Sequence, residues 1–173
     1  MKDLRSILRR RLPKAETEQL AEEMGDDPAR FDEAWQLVVA GDAVLSPRAA
    51  WLIDHLMVGH PALLEPYLEA AISELARPSH HNGVHRILAK VLSTRNIPEP
   101  FQGELFGVCR DHLLNPDSAV AIKVHCMEIA TKIVLPYPEL KEELVTIIEM
   151  QMSGGSAAIR SRGRKLLRKL GCY

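Results

Sequence analysis

The chain has 173 residues, of which 46% are hydrophobic, 26% charged and only 5% aromatic, with a formal net charge of −1. That length suits one domain able to bury roughly 70% of its unfolded surface, and the shortage of aromatic residues favours packed helices over sheets. Three cysteines, Cys109, Cys126 and Cys172, with no CxxC spacing argue against a disulfide framework and a zinc knuckle, and no apolar run approaches the roughly 20 residues that cross a bilayer.

The first segment, "MKDLRSILRRRL", places charge every few residues and lacks the uninterrupted apolar core of a signal peptide, so the expected setting is the cytoplasm. Its Leu4, Ile7, Leu8 and Leu12 form a docking stripe for capping helices within residues 1–27. Asp27-Pro28 then reads as a helix start, with Phe31, Ala34, Trp35 and Val38 on one face and Gly41 at the close. Ser46-Pro47 opens the next helix, with Ser46 as its cap. Over residues 61–75 the stripe is Leu64, Tyr67, Leu68, Ala71, Ile72 and Leu75, and Pro66 is expected to delay or bend this helix. Asn82 and Asp117 are cap candidates for later helices, and Asn115 is a candidate terminator. Tyr137-Pro138 begins a helix carrying Leu140, Leu144, Ile147 and Ile148, closed by Gly154. Ser156 caps a last helix with Ile159, Leu166, Leu167 and Leu170. No stretch alternates in the manner of a strand, so the chain is expected to be all-α.

These helices repeat. Arg48, Arg86, Lys123 and Arg160 are spaced 38, 37 and 37 residues apart. Three positions on stand Trp51, Ala89, Cys126 and Gly163, and six on stand Asp54, Leu92, Ile129 and Leu166. Pro61, Pro100 and Pro138, each followed four residues later by Glu65, Glu104 and Glu142, mark the intervening helices with nearly the same period. A two-helix unit of about 38 residues carrying "RILAKVL" (Arg86 to Leu92) resembles the HEAT-like α-α repeat family, over residues 28–170. The first unit departs from the pattern at Trp51 and Asp54. The resemblance implies a right-handed α-α superhelix of helical-hairpin repeats, with about eight helices. One domain is expected over residues 1–173, comprising capping helices to residue 27, repeats over 28–155 and a basic capping helix over 156–173.

Three groups invite a chemical reading. In "ARPSHHNGVHRILAKVL" His81 and His85 are four apart, but with Asn82 as cap His81 lies outside the helix, and no carboxylate stands between Glu74 and Glu99. The HExxH geometry of a zinc site is therefore missing, and surface histidines without a metal are expected. His125 and Cys126 are adjacent and point about 100° apart on a helix, which rules out local activation of the thiol; Cys126 and Cys109 fall at core positions. Trp51 and Asp54, three apart on one helix, distantly resemble the pair in HEAT-like alkylpurine DNA glycosylases, whose cleft sets a Trp and an Asp beside the damaged base. Trp35 would be a second wall or plain core. "QMSGGSAAIR" lacks the spacing of a phosphate loop, and a Gly cap followed by a Ser cap explains it.

Charge separates the ends from the middle. Residues 1–14 and 156–173 hold 12 of the 22 basic residues but 1 of the 23 acidic ones. The repeated bases suggest either a ladder salt-bridged to Glu65, Glu104 and Glu142 or a row that faces a ligand. With no constellation arranged for catalysis and no cofactor site, the expected function is a non-catalytic protein-interaction scaffold. Its partner-binding residues would be Arg48, Arg86 and Lys123, continued by Arg160, Arg162 and Arg164. Another protein is the expected partner and a membrane is not. The alternative is nucleic-acid binding or DNA repair along the basic ladder, recognisable by steep salt dependence.

Overall fold

Asp27 and Ser156 cap helices where their positions in the sequence require it, whereas several other helix starts carry no side-chain cap. The computed structural model describes residues 3–172, so Lys2 of the basic N-terminus lies outside the described residues. By its internal contacts the chain divides into two compact units, Met1–Val91 and Leu92–Tyr173.

The first unit begins with α1 (Leu4–Leu8) and α2 (Lys14–Met24), separated by Pro13 at the N-cap of α2. Leu4, Leu8 and Leu12 are buried, with α1 docked on α3 and α4 and α2 on α4. The helix α3 (Pro28–Val39) starts where Asp27 accepts the backbone N–H of Ala29 at 2.9 Å, and Gly41, at φ +70°, turns the chain away from its end. Phe31, Ala34, Trp35 and Val38 are all buried, and α3 lies along α4 (Leu45–Gly59). Trp35 is not a pocket wall. Its ring stands in an aromatic cluster, 6.5 Å from Phe31 and 5.4 Å from Tyr67 between centroids.

Pro66 has the expected effect. Residues Pro61–Tyr67 form 3-10 turns and α5 (Leu68–Ala76) starts only at Leu68, because proline has no N–H for the α-helical ladder. The helix α6 (Asn82–Ser93) follows, with the boundary between the units inside it.

The second unit holds the hairpins α7 (Glu99–Leu114) with α8 (Val120–Val134) and α9 (Pro138–Ser153) with α10 (Ala157–Lys169). Leu144, Ile147, Ile148, Ile159, Leu166 and Leu167 are buried at the predicted positions. Each such side chain contributes roughly 1.5–3 kcal/mol on leaving water, against about 1 kcal/mol for a typical cap. Gly163 lies where α10 meets α9, and a Cβ there would fall 2.4 Å from the Met152 sulfur. Gly154 follows α9, and Ser156 accepts the Ile159 N–H at 3.4 Å.

Three expectations about caps are corrected. Ser46 is already inside α4, buried, and its hydroxyl donates to the Leu37 carbonyl at 2.8 Å; Asp42 organises that helix start instead, accepting from Val44 and Leu45 at 2.8 and 2.7 Å. Asn82 is the first residue of α6, and the His81 ring takes the capping role, its Nδ1 accepting the Gly83 N–H at 2.9 Å. Asp117 caps nothing, because α8 starts three residues beyond it. Ten α-helices form among the described residues, slightly more than the eight or so expected.

Candidate binding site

The repeated basic residue occupies the same place each time: fourth in α4, α8 and α10, and fifth in α6. Its neighbours differ. Arg48 reaches back to the end of α1 and donates to the carbonyls of Leu8 at 2.9 Å and Arg9 at 2.6 Å. Arg86 is exposed and makes no hydrogen bond or ion pair among the described residues. Lys123 donates to Gln151 at 3.1 Å, and Arg160 donates to the Gly155 carbonyl. Arg162 pairs with Glu128 at 2.7 Å, while Arg164 is exposed and without such a partner among the described residues.

The acids of the expected ladder do not supply these contacts. Glu65, Glu104 and Glu142 are exposed and form no ion pair among the described residues. Helices are instead joined by Lys90 and Asp54 at 2.8 Å, and by Arg162 and Glu128. The repeated glutamates are solvent-exposed and do not reach the repeated bases.

A cavity of about 500 Å³ opens within the first unit. The segment after α1 brings Arg10 and Arg11 to it, α4 brings Arg48 and Trp51, and the start of α6 brings His81 and Arg86. Leu8, Leu12 and Pro47 give it apolar surface, and no carboxylate lines it among the described residues. Arg10 is bound to Glu16 at 2.5 Å, and the Arg48 guanidinium is held by the two carbonyls of α1. Arg11, like Arg86, is exposed with no partner among the described residues. Two guanidinium groups thus stand uncompensated beside a half-buried indole, which can take an anion on an apolar or flat body.

Trp51 belongs to this cavity, but Asp54 does not line it. Asp54 is turned to Lys90, so the two residues do not line one pocket in the manner of the glycosylase pair they distantly resemble. The ring of Trp51 instead meets His55 edge-on, at 5.2 Å between centroids.

The histidines before α6 divide. His81 is exposed, as expected, but His80 and His85 are buried. His80 is paired with Glu74, and His85 donates from Nε2 to the Arg77 carbonyl at 2.9 Å. Arg77 in turn donates to the Val39 carbonyl at 3.0 Å. These contacts fold the loop between α5 and α6 against the unit, a structural duty that the exposed-surface expectation missed. The signal was Glu74, six residues ahead of His80.

Cys109 and Cys126 are both buried, on α7 and α8, as expected for core positions. Burial pushes the Cys109 thiol well above the ordinary thiol range, and the adjacent Cys126 thiol adds to the effect. Such a thiol is a poor nucleophile. His125 is within 3.3 Å of the Ser93 hydroxyl instead.

The sequence matches the HEAT repeat domain family over residues 4–170. No curated protein and no solved structure matches it. With hairpins of the period and order already described, and a match spanning nearly the whole sequence, the chain belongs to the HEAT repeat family.

Proposed function

We propose that the chain is a cytoplasmic, non-catalytic protein-interaction scaffold. Arg48 and Arg86 in the first unit, and Lys123, Arg160, Arg162 and Arg164 in the second, are the residues that meet the partner. The observation that carries this reading is the recurrence of a cation at the end of the first turn of α4, α6, α8 and α10. The helix dipole gives no reason for it, since positive charge is favoured at the opposite end. Local contacts account for Arg48, Lys123, Arg160 and Arg162 but leave Arg86 and Arg164 facing solvent. Helical repeats give partners an extended surface, and such surfaces use charge to orient what they bind.

The test is affinity capture by tagged protein from its native lysate, with and without nuclease, comparing wild type with Arg86→Glu/Arg164→Glu. Proteins retained after nuclease and lost from the variant support the scaffold. Nucleic acid in the captured material, or partners lost on nuclease treatment, overturns it in favour of DNA or RNA binding. A folded variant that captures the same proteins as wild type removes these residues from the interface.

A further inference from the structure

We propose that the cavity of the first unit is a receptor for a doubly negative peptide segment of a protein partner. Arg11 and Arg86 take the two charges, and Trp51 packs against the neighbouring apolar side chain. The proposal rests on the scaffold reading and deepens it by naming the chemistry of the partner.

The first support is charge. Four arginines line one cavity of about 500 Å³ with no carboxylate among the described lining residues. Arg10 is neutralised by Glu16. Arg48 is fastened to two backbone carbonyls, so its guanidinium adds positive potential without offering its full fork. Arg11 and Arg86 remain, both exposed and without partners among the described residues. Two free guanidinium forks match two negative charges, either one phosphorylated side chain or two adjacent carboxylates.

The second support is that every formal cation here is arginine rather than lysine. Arginine binds carboxylate and phosphate through paired, planar N–H groups, whereas lysine acts as a point charge. The third is Trp51, the only half-exposed tryptophan; the other, Trp35, is buried in the core. An indole left half-exposed beside unpaired guanidinium groups gives a surface on which an apolar residue loses water. Part of the rim is also held in place. Arg48 secures the end of α1, and the His81 ring is fixed by the Gly83 N–H, so binding has chiefly the Arg11 and Arg86 side chains to order.

The shared chemistry is a double negative charge beside an apolar residue, and its two sources are separable. The purified 173-residue chain is titrated into fluorescent peptides of one length, each with a central phenylalanine. One carries a phosphoserine next to it, one carries two glutamates, and one is neutral. A single-stranded oligonucleotide of similar charge is the fourth probe. Anisotropy measures affinity, with Arg11→Glu, Arg86→Glu and Trp51→Ala compared with Lys169→Glu as a surface-charge control. Circular dichroism confirms that each variant is folded.

The expected result is that at least one anionic peptide binds tenfold or more tightly than the neutral one. Arg11→Glu and Arg86→Glu each weaken it by about tenfold or more, the scale of one lost charge-assisted hydrogen bond. Trp51→Ala weakens it at constant peptide charge, and Lys169→Glu leaves it unchanged. Preference for phosphoserine or for paired glutamates identifies the source of the charge. The proposal fails if no anionic peptide outbinds the neutral one. It fails equally if both charge reversals leave binding intact, or if the oligonucleotide binds more tightly than every peptide. Failure here with nuclease-resistant protein capture intact removes the cavity and leaves the scaffold standing.

Discussion

The guanidinium of Arg48 spans 40 positions of sequence to reach the carbonyl oxygen of Leu8, at 2.9 Å. With the Arg9 carbonyl at 2.6 Å, it satisfies acceptors that the end of a five-residue helix leaves open. A helix that short is not stable by itself, so α1 depends on this contact and on the burial of Leu4 and Leu8. Replacing Arg48 with Ala is expected to cost about 1–2 kcal/mol and to lower the thermal midpoint by roughly 2–8 °C. Hydrogen exchange of the α1 amides should accelerate before that of α4. Unchanged exchange in α1 would show that its apolar stripe suffices.

Asp42 accepts the backbone N–H of Leu45 at 2.7 Å and that of Val44 at 2.8 Å, and these bonds hold its carboxyl below the ordinary value of 3.8. Arg5 and Arg9 add smaller effects in the same direction. A carboxyl with a lowered folded value stabilises the fold above its unfolded value, and the contribution disappears as pH falls through the folded one. Asp42→Ala should lower the melting temperature at neutral pH and flatten the acid limb of the stability curve. Asp42→Asn, which keeps an acceptor, should retain most of the neutral-pH stability but show the same flattening.

Tyr67 shows the opposite sign. Partial burial raises its phenol above the ordinary value of 10.0, and the hydrogen bond to Asp32 at 3.0 Å together with the negative charge of that carboxylate pushes further. The stability is fully present below the unfolded value and is lost as pH rises through the folded value. Tyr67→Phe is expected to cost about 0.5–1.5 kcal/mol at neutral pH. It should also remove part of the stability loss seen at strongly alkaline pH. Absorbance titration of the phenolate in wild type provides the direct check, and a midpoint at or below 10.0 would contradict the reading.

Gly163 tests how tightly α10 lies on α9. An added Cβ would come within 2.4 Å of the Met152 sulfur and 3.2 Å of Ile148, which is fully buried. Met152 is flexible and half-exposed, so Gly163→Ala should be close to neutral, the crowding offset by roughly 1 kcal/mol of helix propensity. Gly163→Val adds branching toward Ile148 and is expected to destabilise by about 1–3 kcal/mol. Denaturant melts measure both, and adding Met152→Ala to the valine variant should recover part of the loss.

Much of this protein is legible from its residues alone. The apolar stripes at Phe31, Ala34, Trp35 and Val38 and at Ile159, Leu166 and Leu167 are buried as their spacing requires, because a 3.6-residue period leaves a helix only one face to hide. Pro66 acts through its own missing N–H, and the 38- and 37-residue separations follow from one hairpin per repeat. These are short-range properties, decided within a few turns of chain.

Tertiary structure decided the rest. That Arg48 would bind the carbonyls of α1, and that Asp54 would turn to Lys90 rather than to the cavity of Trp51, are choices between groups competing for one partner. Spacing places such residues on a helix face but does not say which neighbour arrives first across a loop. The cavity shows the difference most clearly. Arg11, Arg48, Trp51 and Arg86 lie on three segments separated by tens of residues, and only packing of α1 and α6 beside α4 brings them to one opening. Periodicity determined that these helices form and which side of each is buried, because both depend on local geometry. Which charges found contacts inside the fold and which stayed exposed to solvent was settled only when the helices met.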